Sequence, residues 1–239
     1  MRIAVLSDIH AMSACLAQAL ADARREGFDV LLILGDLLTY GVTPVETLEL
    51  INEAITRDRA VLVMGNHDQF YLGIGEAADD YLTCLPGWLR ESVEWTAARL
   101  SPGAMDGFDW QTEWSIGPLL AAHANPYDFG DWTYLADADR AEVAALTLAE
   151  RGYRYGIFGH THRARAFEHG DVSIFTIGSL GQPRDDRERR PQWTMIDLGE
   201  NSIAVQPRSI AFDRIGHLAA IRATTLSPPT QDLLCGFFA

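Results

Sequence analysis

The chain opens with MRIAVLSDIH, residues 1–10, in which an apolar run leads directly into two side chains that commonly bind metals. The run meets a charge at Asp8, so it is too short for a signal peptide and is typical of a buried first strand. Asp8 and His10 then occupy alternate positions at the end of that strand. If the strand conformation continues, both side chains point to the same side.

The residues that follow alternate short apolar runs with longer amphipathic ones. Strands are predicted at 3–6, 30–34 and 61–64, with helices at 13–26 and 44–57 between them. Buried strands separated by helices are typical of a βαβαβ series, in which the strands run parallel and the crossovers are right-handed. Gly27 is a helix stop signal, and Pro44 fits the first turn of the next helix.

In the second half of the chain, apolar residues recur mainly with the two-residue period of strands. Its predicted strands lie at 119–123, 156–158, 165–168, 172–177, 193–198 and 202–206. Helices are predicted at 139–151 and 213–223, and His169-Gly170-Asp171 forms a hairpin turn. The stretch from 69 to 118 is less regular, and a core-packing helix around Val93 and Leu100 is favoured there over a substrate cap. Because no linker or repeat is visible, the pattern indicates one domain over 1–239.

The charged residues restrict the chemistry. Among 239 residues the chain has 33 acidic and 19 basic ones, a net charge of −14, and every basic residue is Arg. The absence of Lys excludes a Walker-type phosphate loop, a kinase-type Lys–Glu pair and Schiff-base catalysis. The negative charge argues against nucleic acid as a partner, because such binding requires clustered cations. Any phosphate chemistry therefore needs another source of positive charge.

The cysteines and the apolar runs indicate the compartment. Cys15, Cys84 and Cys235 are odd in number and widely spaced, which fits neither a disulfide framework nor a zinc motif. No apolar run approaches the ~20 residues of a membrane span. We therefore expect a reduced, cytoplasmic protein with no membrane partner.

Glycine followed by a polar residue ends four of the predicted strands. The four sequences are Leu34-Gly35-Asp36, Met64-Gly65-Asn66-His67-Asp68, Phe158-Gly159-His160-Thr161-His162 and Ile177-Gly178-Ser179. Five of the seven histidines come at the end of a predicted strand or just after it, namely His10, His67, His123, His160 and His162. Ligands bind at this edge of open α/β sheets. Mixed imidazole and carboxylate donors favour Zn, Fe, Mn or Ni over Mg or Ca.

These motifs, taken in order, resemble the signature of a known family. Asp8-Ile9-His10, Gly35-Asp36, Gly65-Asn66-His67-Asp68, His123 and Gly159-His160-Thr161-His162 are similar to the motifs of the calcineurin-like metallophosphoesterases. GSLGQPRD at 178–185 resembles a late motif of small bacterial and archaeal members, often described as predicted phosphodiesterases or diadenosine-tetraphosphatase-like proteins. The resemblance implies an α/β (α+β) fold in four layers, αββα, with two packed mixed sheets flanked by helices.

The resemblance also implies a role for each motif residue. One metal would be bound by Asp8, His10 and His162 and the other by Asn66, His123 and His160, with Asp36 bridging the two. His67 would contact the phosphate and protonate the leaving group without binding metal, and Asn66 would also contact substrate. The position of Asp68 next to His67 would allow its carboxylate to hydrogen-bond to the His67 ring and orient it, although a purely structural Asp fits equally well. Arg184, in the late motif, can reach a substrate phosphate with two hydrogen bonds.

Such a pair of metals explains how a chain without Lys can handle phosphate. Two cations ~3.5–4 Å apart bridge a water, lower its pKa and hold the phosphate oxygens, so that hydroxide attacks phosphorus in line. A protonated His67 would then stabilise the leaving oxygen. The sequence therefore predicts a dinuclear metal-dependent phosphoesterase for a small phosphate ester, with phosphodiesters or nucleotides favoured. The choice among Mn, Fe and Zn stays open.

Two rival functions and several departures from the family pattern qualify this hypothesis. A nuclease on the same site is disfavoured by the acidic charge, and a non-catalytic binding scaffold, as in the retromer subunit of eukaryotes, by the presence of all ligands. Ala11-Met12 and Ala124 replace residues that are usually Gly-Asn and Gly, which leaves substrate preference open. Tyr40 and Tyr127 are expected to pack rather than to stack on a substrate ring. The apolar end at 233–238 either folds back or joins a second subunit in a homo-oligomer.

Overall fold

The computed structural model describes residues 1–72, 82, 84–185 and 188–238. Its first sheet contains strands β1 (Arg2–Leu6), β2 (Val30–Ile33), β3 (Val61–Val63), β4 (Trp110–Gln111), β10 (Gln192–Leu198) and β11 (Ile203–Ser209). Its second sheet contains β5 (Glu113–Ile116), β6 (Leu119–Ala122), β7 (Tyr155–Phe158), β8 (Arg165–His169) and β9 (Val172–Thr176). The α-helices are α1 (Ser13–Glu26), α2 (Pro44–Asp58), α3 (Gly87–Ala97), α4 (Ala138–Glu150), α5 (Arg214–Arg222) and α6 (Pro228–Gly236).

Both sheets combine parallel and antiparallel strands. The first has the order β11-β10-β1-β2-β3-β4, in which β1 to β4 run parallel and β10 is antiparallel to both of its neighbours. The second has the order β5-β6-β7-β9-β8, with β6, β7 and β9 parallel and the edge strands antiparallel. The predicted hairpin joins β8 to β9, and Gly170 at its turn has a φ of +57°. The parallel strands bring their carboxyl ends to one edge of each sheet.

Successive side chains along each strand point to opposite faces of its sheet, and this alternation produces the layers. In β1, Ile3 and Val5 belong to the core between the two sheets, whereas Ala4 and Leu6 pack with the residues of α1 and α2. The second sheet divides in the same way, since Leu119 faces the other sheet and Leu120 packs beneath α4. A strand buried on both faces requires this continuous apolar sequence. The predicted arrangement of two mixed sheets flanked by helices is confirmed.

Two segments differ from the sequence predictions. Strands β4 and β5 lie in the stretch predicted to be irregular; both are short and half-buried, so neither has the apolar alternation that marks a strand. The prolines at 228 and 229 do not form a tail but begin helix α6, because proline is well suited to a first helical turn. Leu234 of α6 packs in a cluster with Val93 of α3, so the apolar end folds back on the body.

Within the described ranges, none of the helices combines the length and the apolar character needed to cross a membrane.

Candidate metal centre

Five strands end within a few residues of the predicted ligands. Asp8 and His10 follow β1, and Asp36 follows β2. Asn66 and His67 follow β3. In the second sheet, His123 follows β6, and His160 and His162 follow β7. All eight side chains are buried. The structure therefore brings together every ligand that the sequence predicts.

The backbone at these residues turns instead of continuing as strand. Asp8, His10, Asp36, His160 and His162 all have φ between 47° and 61°, in the left-handed region that non-glycine residues rarely adopt. The first strand ends at Leu6, and the strand conformation does not continue through Asp8 and His10. Their turn is held by hydrogen bonds from the Asp8 amide to Gly35 O (3.1 Å) and from the His10 amide to Asp36 O (2.9 Å). Strain of this kind is characteristic of functional sites.

Glycine at the strand ends allows the loops to approach this closely. A Cβ on Gly65 would collide with the Asp36 carboxylate and lie 2.9 Å from His123 Cε1. A Cβ on Gly159 would collide with Ser7 Oγ and lie 2.9 Å from Asp8 Oδ2. The motif glycines are thus required by packing of ligand loops against each other.

The ligand atoms form two groups that share one carboxylate. In the first group, Asp8, His10 and His162 place one potential ligand atom each within 4.8 Å of one another, and the second group, Asp36, His123 and His160, does the same. Asn66 Oδ1 lies 3.2 Å from His123 Nε2 and so joins the second group. Asp36 Oδ2 is 3.5 Å from His123 Nε2 and 3.9 Å from His10 Nε2, which places it between the groups.

Backbone carbonyls determine which histidine nitrogen faces each group. In the first group, His10 Nδ1 lies 3.0 Å from Leu38 O and His162 Nδ1 lies 2.7 Å from Gln182 O. A carbonyl can only accept, so both Nδ1 atoms carry the proton and both Nε2 atoms present a lone pair. These Nε2 atoms are 3.3 Å apart, and the Asp8 Oδ1 beside them is buried and has no hydrogen-bond donor in the part of the chain that the structure describes. A cation satisfies all three atoms.

The second group repeats this arrangement with a different tautomer. His123 Nδ1 is 2.5 Å from Leu34 O, whereas His160 uses Nε2, 3.0 Å from Trp132 O. The inward atoms are therefore His123 Nε2 and His160 Nδ1, two lone pairs 3.2 Å apart. Metal-bound histidines typically donate their outer N–H in this way, which fixes the ring orientation. The donor set fits a metal in each group.

The protonation equilibria of the histidines agree with a ligand role. Burial lowers the pKa of His10, His160 and His162 below the ordinary value, and that of His160 to about 3. These rings are therefore neutral at neutral pH, which is the form that binds metal. For His123, burial acts in the same direction, but the Asp36 and Asp8 carboxylates outweigh it and raise the pKa.

The pKa values of the two carboxylates in the ligand groups, Asp8 and Asp36, are shifted in opposite directions. Burial would raise the pKa of Asp8, but the His162 ring, with Nε2 at 3.2 Å, and the other histidines lower it below the usual range. Burial, together with the nearby Asp68 and Asp8 carboxylates, raises the pKa of Asp36 to about 8. A cation on each side of Asp36 would favour its ionised form, since opposite charge lowers a carboxyl pKa.

Comparison with known proteins agrees with this geometry. The family model described as the calcineurin-like phosphoesterase superfamily domain matches residues 1–200. The chain belongs to the calcineurin-like phosphoesterase superfamily. The predicted family is thus confirmed.

Individual known proteins and solved structures are similar to the chain along most of its length. An uncharacterized protein of Methanocaldococcus jannaschii is 28% identical over 207 residues, covering 77% of each chain. A solved metallophosphoesterase from Sphaerobacter thermophilus has a TM-score of 0.74 at 22% identity and 99% coverage of both chains. A hypothetical protein from Pyrococcus horikoshii has a TM-score of 0.80 at 16% identity, with coverage of 98% of this chain and 97% of that one. At these identities the two structures show the fold.

In this calcineurin-like chain, His67 lies beside the two groups and belongs to neither. Its Nε2 is 4.0 Å from Asp36 Oδ2 and 3.3 Å from the Tyr40 hydroxyl, while its Nδ1 is buried with no hydrogen-bond partner among the described residues. Burial, with the charges of His123 and His162, holds the His67 pKa well below its ordinary value. The ring is therefore neutral in the free site. A neutral ring still has one N–H to donate.

The Asp68 carboxylate accepts hydrogen bonds from backbone amides and not from the His67 ring. Its Oδ2 accepts the amides of Asp36 and Gly65, both at 2.8 Å, and its Oδ1 accepts the amide of Leu37 at 2.9 Å. The interpretation of Asp68 as a residue that orients His67 does not match these contacts. Since an anionic carboxylate is a strong acceptor, Asp68 instead ties the β2 and β3 loops together.

Asp68→Asn is therefore expected to lower the stability of the fold. The amide NH₂ would face a backbone N–H, which leaves one buried donor without an acceptor and costs roughly 1–3 kcal/mol in the free energy of unfolding. Urea unfolding of the metal-free protein measures this loss, with Asp128→Asn, an exposed aspartate, as the matched control. Unchanged stability combined with a reduced kcat would instead support a contact with His67.

Tyr40 and Arg184 complete the rim of the site. Tyr40, expected to be a packing residue, also contacts the ligand His10, with ring centroids 4.6 Å apart. Its φ of 67° and the bond from its amide to Ser92 Oγ (3.1 Å) hold it in this place. Sequence reasoning missed this contact, although Tyr40 follows the Gly35-Asp36 motif closely. Arg184 donates from Nε to Gln182 Oε1 (2.9 Å), and its Cζ lies 5.6 Å from the Phe237 ring centroid.

Proposed function

We propose that this chain is a dinuclear metal-dependent phosphoesterase that hydrolyses a small phosphate ester, with phosphodiesters and nucleotides favoured. The observation that carries the proposal is the pair of inward-facing lone-pair groups that share Asp36. Imidazole and carboxylate donors support Mn, Fe or Zn as the metals. When bound, the two cations supply positive charge for the phosphate oxygens and activate the attacking water.

The protein residues position the reacting groups. Histidines whose outer nitrogens are fixed by backbone carbonyls keep the ligand atoms rigid, which favours a preorganised site. Asn66 offers an amide N–H to a phosphate oxygen while its Oδ1 faces His123. His67, held by Tyr40 and by the bond from its own amide to Asp36 Oδ1 (2.8 Å), donates its N–H to the phosphate or leaving oxygen. Arg184 binds a phosphate oxygen from the rim.

The alternatives have less support. A nuclease needs clustered cations to hold a polyanion, and the chain carries a net charge of −14. A binding scaffold does not require a full ligand set with fixed tautomers, yet every predicted ligand and His67 are buried at the site. An enzyme for small esters fits both observations.

Metal analysis followed by activity assay tests the proposal. The protein is stripped with a chelator, reloaded with Mn, Fe or Zn, and assayed against bis(4-nitrophenyl) phosphate, 4-nitrophenyl phosphate, a nucleotide panel and DNA. We expect two metals per chain and activity that depends on them, with the stripped protein as control. If both sites fill and no ester is hydrolysed, the scaffold alternative is supported; a strong preference for DNA would support the nuclease.

Tyr40→Phe is expected to lower kcat about three- to ten-fold, which corresponds to one hydrogen bond of about 1 kcal/mol. The hydroxyl can donate to or accept from His67 Nε2, so it steadies the ring in either protonation state. Burial raises the Tyr40 pKa, so the phenol keeps its proton. Initial rates with bis(4-nitrophenyl) phosphate at fixed metal content measure the effect, with Tyr153→Phe as control. An unchanged kcat would reduce Tyr40 to a packing residue.

A further inference from the structure

The segment between strand β6 and helix α4 contacts both histidines of the second ligand group. This segment, loop 125–134, begins just after the ligand His123. The Trp132 ring lies edge-on to the His123 ring, with centroids 5.8 Å apart. The carbonyl of Trp132 accepts the Nε2–H of His160 at 3.0 Å. One loop therefore starts at one ligand of the group and returns to the other.

The outer nitrogen of His160 depends on a surface loop, unlike those of the other ligand histidines. The carbonyls that fix the other three rings belong to buried residues, namely Leu34, Leu38 and Gln182. Trp132 is only half-buried, and its neighbours Asp131 and Thr133 are exposed. Exposed loops are usually more mobile than the elements they connect. The position of this carbonyl therefore depends on how the loop itself is held.

Asn125 holds the loop at the residues on both sides of Trp132. Its Nδ2 lies 2.9 Å from Asp131 O and 3.2 Å from Thr133 O, the carbonyls of the two flanking residues. Its Oδ1 accepts the Tyr127 amide at 3.0 Å. Asn125 is only 4% exposed, so water does not compete for these hydrogen bonds. One buried side chain thus fixes the peptide that faces the metal ligand.

Tyr134 restricts the plane of the His160 ring. The two rings are stacked, with centroids 4.1 Å apart and an interplanar angle of 18°. Such aromatic pairs contribute about 0.5–1.5 kcal/mol beyond the area they bury. A hydrogen bond at Nε2 alone leaves the ring free to tilt, whereas a stacked neighbour opposes the tilt. Together the carbonyl and the stacked ring place His160 Nδ1, which lies 3.2 Å from His123 Nε2.

We propose that loop 125–134 sets the affinity of the second metal site separately from that of the first, with Asn125 and Tyr134 as positioning residues for His160. The inference rests on the metal binding that the proposed function requires, and not on hydrolysis. His10 and His162 are fixed by carbonyls of other loops, so loosening loop 125–134 acts on one site. Outer partners of ligand histidines typically contribute about 10–100-fold to metal affinity.

Calorimetric titration of the chelator-stripped protein with Mn measures the two affinities. The binding step that disappears in His160→Ala belongs to the second group. We expect Asn125→Asp to raise the dissociation constant of that step about 10–100-fold and Tyr134→Ala about ten-fold, with the other step unchanged. Asn125→Asp keeps the side-chain shape but replaces the donor by a carboxylate that faces Asp131 Oδ1, which is 3.1 Å from Nδ2.

Two conservative exchanges are the matched controls. Tyr134→Phe keeps the stacked ring and should retain the wild-type affinity at both steps. Asn52→Asp makes the same exchange at an exposed asparagine of α2 and should also leave both steps unchanged. Electron paramagnetic resonance gives a spectroscopic readout, since paired Mn ions are magnetically coupled and a single ion is not. At limiting Mn, Asn125→Asp should show the uncoupled signal and Asn52→Asp the coupled one.

Selectivity between the two steps decides the inference. If both steps weaken equally in Asn125→Asp and Tyr134→Ala, or if neither changes, the loop does not set one affinity separately and the inference is wrong. Thermal unfolding verifies each variant, and because Tyr134 is 45% exposed, its replacement is compatible with folding even where Asn125→Asp unfolds. If the selective loss occurs but no ester is hydrolysed, the inference stands and the proposed function fails. Hydrolysis combined with an insensitive second step gives the reverse result.

Discussion

Asp36→Asn is expected to lose at least one of two bound metals and to lower kcat/KM on the order of 10³-fold. The Asp36 carboxylate is the one ligand placed between the two groups, 3.5 Å from His123 Nε2 and 3.9 Å from His10 Nε2. An amide offers one neutral oxygen in place of an anion shared by two cations. Removing several kcal/mol of electrostatic stabilisation corresponds to a rate loss of this size, since 1.36 kcal/mol is ten-fold.

Metal content and kcat/KM measured on the same preparation separate the two effects of Asp36→Asn. Asp128→Asn, an isosteric change at an exposed aspartate, is the matched control and should retain both metals and activity. A variant at Asp36 that keeps two metals and the wild-type rate would contradict the bridging position. Unfolding curves with and without metal show whether the loss reflects binding or stability.

His67→Ala is expected to lower kcat about 10²–10⁴-fold while the metal content stays at two per chain. The ring lies outside both ligand groups, with Nε2 4.0 Å from Asp36 Oδ2. Under the proposed function, its removal would delete a donor to the phosphate or leaving oxygen, and such proton-transfer or hydrogen-bonding groups typically contribute this factor.

The control for His67→Ala is His169→Ala on the β8–β9 hairpin, which should be neutral because His169 is exposed. Metal analysis distinguishes the roles of His67. If metal content falls in His67→Ala, the residue is a ligand and its assignment here is wrong. If metals and kcat both persist, His67 has no role in the reaction.

The elements that sequence predicted best are those with strong local signals. Helix α1 was predicted at 13–26 and ends there, because Gly27 adopts a φ of 78° that other residues avoid. The pairing of β1 with β10, which brings Ile3 opposite Ile196, joins residues far apart in the chain and has no local signal. Strand β4, of two residues, is a strand only because β3 lies beside it.

The features of the candidate site likewise divide into those indicated by local sequence motifs and those set by contacts between distant residues. Glycines and histidines at strand ends, with the resemblance they carry, indicated each ligand position. The partners of Asp68, by contrast, are amides 31 and 32 residues earlier as well as one close by. Of the two roles that the sequence left open for Asp68, the contacts fit the structural one, and Tyr40 packs as expected but also contacts His67.

By itself the sequence determined the layered fold, the family and the identity of the buried donors, because periodicity, turn residues and motif order are properties of neighbouring positions. Only the tertiary structure decided which nitrogen of each histidine faces its ligand group and which residues meet across the loops. His123 takes its tautomer from Leu34 O, 89 residues away, and Arg163 meets Arg184, 21 residues away. The tautomer of a histidine and the electrostatic environment of a side chain depend on which groups lie close to it. Those groups come together only when the two sheets pack.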